Sequence, residues 1–228
     1  MIESHSLIIT IIIGDAQKET VLPNDISQSP DDEKILKYAS ELFRQLGITK
    51  REPDSVVWVR SMYPDIVIVR LGEVRLPRKM MGKLTPEDWK PLLAPAIVYN
   101  YVLSGDRNRG PLLRAVLPLG LAEIPLTYAL LQIFRLSRQT DTTGLLLATI
   151  SLWIIYASSM LALFIRWYWR SLSYSANRRA ADVVGREVLL AALAKYGQAI
   201  SATGYPLKHL HLWPTVNQRI QRLQKDLR

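Results

Sequence analysis

Apolar positions along this chain fall into three rhythms, each predicting a different kind of element. Between Pro30 and Leu46, residues Ile35, Leu36, Ala39, Leu42, Phe43 and Leu46 recur at helical spacing and make one stripe. Ser29 stands at the N-cap position, Pro30 fits the first helical turn, and Asp31, Asp32 and Glu33 favour the positive end of the helix dipole. Gly47 supplies the stop. Two β-branched runs follow, Ser55 to Arg60 and Asp65 to Leu71, with a Tyr63-Pro64-Asp65 turn between them, and the pattern predicts a hairpin. The basic stretch RLPRKMMGKL reads as a loop because it holds Pro77 and Gly82. Thr85-Pro86-Glu87 then opens a helix that runs to a break at Ser104, with Pro91 and Pro95 bending it or freeing carbonyls.

The third rhythm is unbroken. Residues 115–134 form a 20-residue run whose only charge is Glu123, and residues 144–165 form a 22-residue run with none. At about 1.5 Å per helical residue, each covers the roughly 30 Å of bilayer hydrocarbon. The second ends in RWYWR, where Trp167, Tyr168 and Trp169 make an interfacial aromatic belt. Two adjacent runs of this kind predict a transmembrane hairpin rather than a pair of core helices. Seven arginines flank it outside (Arg107, Arg109, Arg114, Arg166, Arg170, Arg178, Arg179), against Arg135 and Arg138 in the connector. That asymmetry puts both termini in the cytoplasm.

Beyond the hairpin, Ser171 to Gly197 reads as one or two helices interrupted at Gly185, and an amphipathic helix starts near Pro214. At the other end, Leu7 to Ile13 is too short to span and lacks a following small-residue cleavage site, so it reads as a strand or membrane-surface segment rather than a secretory signal. The organisation expected is an N-terminal segment 1–28, a cytoplasmic domain in two parts (29–110 and 166–228), and transmembrane helices at 115–134 and 144–165.

Composition narrows the chemistry. The 228 residues contain no cysteine, which removes disulfides, thiol catalysis and cysteine-based metal sites. The three histidines (His5, His209, His211) have no pair at the spacing of a helical HExxH site. Lys+Arg 29 against Asp+Glu 20 gives +9, which suits anionic lipid headgroups as partners, at about 1 kcal/mol per well-placed cation. Nucleic acid gains no support from helix-turn-helix, RNP or zinc-finger patterns.

The order of features resembles a family. LTPEDWKPLLAPAIVYNYVLSGD, two apolar spans, RSLSYSANRRAADVVGREVLLAALAKYG and HLWPTVNQRIQRL together resemble the membrane zinc metallopeptidases of the HtpX and CAAX prenyl protease type. The likeness covers roughly Leu42 to Leu223. It is carried by Leu84-Thr85-Pro86-Glu87, by Ala176, Ala180, Ala181 and Gly185, and by His211, Pro214, Arg219, Ile220 and Leu223. The resemblance implies a zincin-like α+β fold, mainly helical with a small sheet. It also implies where a zinc site would stand, and there the ligands are missing. The two histidine positions of the family motif fall on Pro95 and Tyr99, the general-base glutamate on Ala96, the third-ligand glutamate on Ser173, and the supporting aspartate on Asn177. Pro95 and Ala96 carry no ligand atom, and neutral hydroxyls hold zinc poorly. No histidine or lysine stands in these motifs to activate Ser173.

The expectation is therefore a non-catalytic protein with no zinc and no other cofactor. It would be a structural, assembly or regulatory subunit of a larger membrane complex, with other membrane-protein subunits as partners, in the bacterial inner membrane. A peptide-holding relative that regulates an active protease is an alternative, using Ile66 to Leu71 as an edge strand. An enzyme of metal-independent chemistry and a basic adaptor for nucleic acid are alternatives of other classes. If the fold is kept, residues 95–99 should face residues 173–177, with the Tyr99 hydroxyl bridging to Ser173 or Asn177. Glu123 lies at the depth of Tyr156, Ser158 and Ser159 in an antiparallel hairpin. A mid-membrane carboxyl costs about 2.5–3.5 kcal/mol on insertion scales, so it is either bonded to one of those hydroxyls or turned to another subunit.

Overall fold

A computed structural model describes residues 29–136, 143–204 and 213–225. The N-terminal segment, Arg138, His209 and His211 lie outside the described residues. The architecture is mainly helical with one small sheet: α1 Pro30–Gln45, β1 Ser55–Val59, β2 Ile68–Arg70, β3 Glu73–Pro77, α2 Pro86–Ile97, α3 Ser104–Leu136, α4 Thr143–Val184, α5 Arg186–Ser201 and α6 Val216–Lys225.

The helix starts follow their caps. Ser29 and Asp32 make a reciprocal capping box on α1, and Thr85 and Asp88 make another on α2. Thr215 and Gln218 exchange the same pair of bonds ahead of α6. Gly185, at φ +88°, breaks the chain between α4 and α5 where a side chain would be strained.

The sheet differs from the expected hairpin. β1 does not pair with β2. Instead β3 lies between them, parallel to β1 and antiparallel to β2. The tight turn is Leu71-Gly72, both at positive φ, which joins β2 to β3 directly and leaves β1 to dock from the far side. β3 occupies part of the basic stretch read as a loop; its Val74 and Leu76 point into the core while Glu73 and Arg75 ion-pair at 2.7 Å outside it.

α2 continues unbroken through Pro91 and Pro95 and then widens into a π-helical turn, Val98–Val102, closed by Leu103 N–H donating to the Val98 carbonyl at 2.9 Å. Each proline lacks the N–H that would bond one turn back, so the backbone pattern is already loosened where the wider turn forms. The break expected at Ser104 falls at Leu103, a turn residue at φ −91° and ψ 14°, and the chain re-enters α-helix at Ser104 as α3.

One core joins these elements. Ile35, Leu42 and Phe43 of α1, Val69, Val74 and Leu76 of the sheet, and Trp89 and Leu93 of α2 meet Leu172, Ala176 and Ala180 of α4 and Leu189, Leu193 and Tyr196 of α5. Trp58 and Tyr196 flank Trp89 edge-on, and the Tyr196 hydroxyl donates to the Pro64 carbonyl at 2.5 Å, tying α5 to the turn before β2. α3 and α4 run antiparallel beside each other at the core end, where Tyr168 donates to the Asp106 carbonyl at 2.6 Å. Past that point both helices leave the core and expose Val116, Leu121, Ile124, Leu131, Leu147, Ile155 and Leu163. By length and composition, among the described residues, α4 is the one helix able to cross a membrane, and almost none of its apolar stretch is buried in the fold.

Candidate functional site

The five positions singled out in the sequence come from three elements that pack together. Pro95 and Ala96 lie in α2, Tyr99 in the π-helical turn, and Ser173 and Asn177 one turn apart on α4; all five are buried. α4 packs against both α2 and the π-helical turn, so the two motifs share one junction. α4 brings Ser173 and Asn177 inward because Leu172, Ala176 and Ala180 on the same face belong to the core.

The hydrogen bonding is not the one expected. The Asn177 side chain, 2% exposed, donates to the Ser173 carbonyl at 2.7 Å and accepts from Nε and Nη2 of Arg219 at 3.0 and 2.7 Å. Arg219 comes from α6, 42 positions along the chain. Burial pushes its guanidinium pKa below the usual value, while Tyr196 and Asp65 nearby favour its charged form. Asp65 keeps one buried carboxylate oxygen without a hydrogen-bond partner.

Tyr99 does not bridge to Ser173 or Asn177. Its ring meets Trp213 edge-on at 4.7 Å and Trp169 at 6.5 Å, and the Arg107 guanidinium lies 5.8 Å from its centre. The hydroxyl is buried and has no hydrogen-bond partner, and burial raises its pKa well above the usual phenol range. Arg107 is held by Asn100 at 2.5 Å; its own pKa is lowered by burial and by the like charge of Arg70. Aromatic rings thus pack at this junction, and an Asn–Arg pair ties α4 to α6.

This arrangement has few groups able to move a proton near neutral pH. Arginine and phenol titrate far above it, and an amide does not titrate. Among the described residues no three His, Asp, Glu or Cys side chains stand together as metal ligands. No family model, no curated protein and no solved structure matches this chain.

A second set lies along the apolar helices. Glu123 is exposed on α3 and makes no hydrogen bond or ion pair among the described residues. Tyr156, Ser158 and Ser159 are exposed on α4, and Ser159 spends its hydroxyl on the Ile155 carbonyl of its own helix at 2.7 Å. Among the described residues no hydrogen bond joins Glu123 to Tyr156, Ser158 or Ser159.

Sequence reasoning missed the Arg219–Asn177 pair and the Trp169–Tyr99–Trp213 cluster. Arg219 stood in the closing segment of the resemblance but carried no signal for its partner. Trp169 was legible only as part of a membrane belt, and Trp213 only as part of the closing segment of the resemblance.

Proposed function

We propose that this chain is a non-catalytic relative of the HtpX and CAAX prenyl protease type metallopeptidases that works as an assembly or regulatory subunit of a larger membrane complex. In this reading residues 115–134 and 144–165 form a transmembrane hairpin in the bacterial inner membrane, with both termini cytoplasmic. The buried junction at Pro95, Ala96, Tyr99, Ser173 and Asn177 then serves as packing where the family keeps its zinc. Neither zinc nor another cofactor is required.

The observation that carries the reading is Glu123. A carboxyl exposed among Leu121, Ile124, Tyr128 and Leu131 on a lipid-facing helix is costly, even protonated, unless another protein covers it. Polar groups inside membranes are typically met by neighbouring helices. Mild-detergent purification from native membranes, with identification of the accompanying chains, tests this. The wild type should bring down a membrane-protein companion that Glu123→Leu loses; a wild type that purifies alone would end the proposal.

A peptide-holding role is the second reading, favoured by β2 standing at the edge of the sheet beside the π-helical turn. It predicts that protease-substrate peptides bind without cleavage. An enzyme of metal-independent chemistry would instead show turnover abolished by Ser173→Ala.

A further inference from the structure

Where α3 and α4 leave the core, they enclose a pocket of about 190 Å³ between them. Its lining includes Asp106 and Arg114 of α3 with Tyr168, Ser171, Ser175 and Arg179 of α4. Arg114 is the last residue before the apolar run that begins at 115, and Tyr168 lies three residues past the one that ends at 165. On the membrane reading above, which this inference rests on, the pocket mouth lies at headgroup depth.

We propose that this pocket binds an anionic glycerophospholipid, with the phosphate on Arg114 and Arg179 and the polar headgroup against Ser171, Ser175 and Asp106. The charge favours an anion, because two arginines face one aspartate across the lining. Neither arginine makes an ion pair among the described residues, so both are available to a ligand. The Arg114 guanidinium lies 5.4 Å from the centre of the Tyr168 ring, and that ring is fixed by its bond to the Asp106 carbonyl. This holds one cation in place beside the pocket without neutralising it. The Ser171 hydroxyl can donate to a phosphate oxygen, while Ser175, whose hydroxyl donates to the Ser171 carbonyl at 3.1 Å, can accept from a headgroup hydroxyl.

The close approach of the helices is what creates the pocket. Gly110 stands opposite the Tyr168 hydroxyl, and a Cβ there would lie 1.9 Å from that oxygen. Small size at residue 110 thus lets α4 come near enough for its serines and arginine to share a cavity with α3.

The test uses the full chain in mild detergent, with bound lipid counted by native mass spectrometry against added phosphatidylglycerol, phosphatidylcholine or inorganic phosphate. Phosphatidylglycerol should be retained at least tenfold better than phosphatidylcholine. At about fivefold per cation, Arg114→Ala with Arg179→Ala should weaken it about 25-fold, while Arg135→Ala at the far end of α3 leaves it unchanged. Ser175→Leu, which fills the cavity and spares both arginines, should weaken retention as well and covers the case in which the double variant does not fold. Equal retention of the two lipids, wild-type retention by both pocket variants, or inorganic phosphate competing at the lipid's own concentration would overturn the proposal. Glu123→Leu separates the readings, since it should lose the companion chain and keep the lipid. Wild-type protein released from membranes by alkaline carbonate would instead refute the membrane reading beneath both.

Discussion

Replacing Asn177 tests the junction at its most connected point. Asn177→Ala removes two hydrogen bonds from the Arg219 guanidinium and one to the Ser173 carbonyl, at a residue 2% exposed. A hydrogen bond to a charged group contributes about 1.5–3 kcal/mol, and stripping a fully buried charge of its partner costs about 3–5 kcal/mol, whereas Arg219 is only partly buried. Asp65 and Tyr196 remain near Arg219 and soften the loss, which places the expected cost near the lower end, about 3 kcal/mol. For a chain of this size that lowers Tm by roughly 6–12 °C. The assay is thermal unfolding in detergent followed by tryptophan fluorescence, since Trp169 and Trp213 pack at the same junction. Asn177→Asp should behave differently, because a carboxylate beside Arg219 replaces the amide oxygen with a charged acceptor. Its folded pKa would fall below the usual value of about 3.9, so the added stability is present above that pH and is lost as pH falls through the folded value. An Asn177→Ala variant within about 0.5 kcal/mol of wild type would refute the reasoning, since surface positions change stability by that little. So would an Asn177→Asp variant no better than alanine at neutral pH.

Gly110→Ala should cost about 1–3 kcal/mol by overpacking, because the new methyl meets the Tyr168 hydroxyl, and the same unfolding assay measures it; Gly120→Ala, where nothing lies within 4 Å, should be near neutral. Stability should fall as pH rises above about 10, the unfolded tyrosine value, because burial first of all raises the phenol pKa of Tyr99, Tyr168 and Tyr196, so the folded state holds protons that the unfolded state releases. Tyr196→Phe should flatten part of that alkaline slope in a pH series of melting curves. Single cysteines are clean reporters because the chain has none: Arg178→Cys should react with an impermeant reagent from the cytoplasmic side and Arg138→Cys only from the other.

Much of the fold was legible because its ends are chemically marked. Ser29-Pro30 and Thr85-Pro86 announce capped helices, and Gly185 announces a break; each appears where its local chemistry requires. The sheet was harder, because strand pairing is a tertiary choice. Only Val74 and Leu76 of β3 face inward before Pro77, too short an alternation to outweigh the proline and the basic residues around it. The π-helical turn has no sequence signature beyond Pro91 and Pro95, which loosen the pattern without fixing where it widens. At the site, the burial of residues 95–99 and of Ser173 and Asn177 followed from helices that must pack. Which polar group Asn177 would meet did not follow, since Arg219 reaches it from a separate helix whose docking no local pattern encodes. Glu123 could be placed at a depth, but its direction around α3 depends on how that helix packs on α4.

The central claim is that Glu123 faces another protein inside the membrane. Placing a photo-crosslinking amino acid at position 123 of the full chain, and irradiating intact native membranes, measures this directly. The account predicts a discrete adduct with a membrane-protein chain, absent when the same probe stands at the exposed position 105 in the first turn of α3. Irradiation that yields only lipid adducts at position 123 would contradict it.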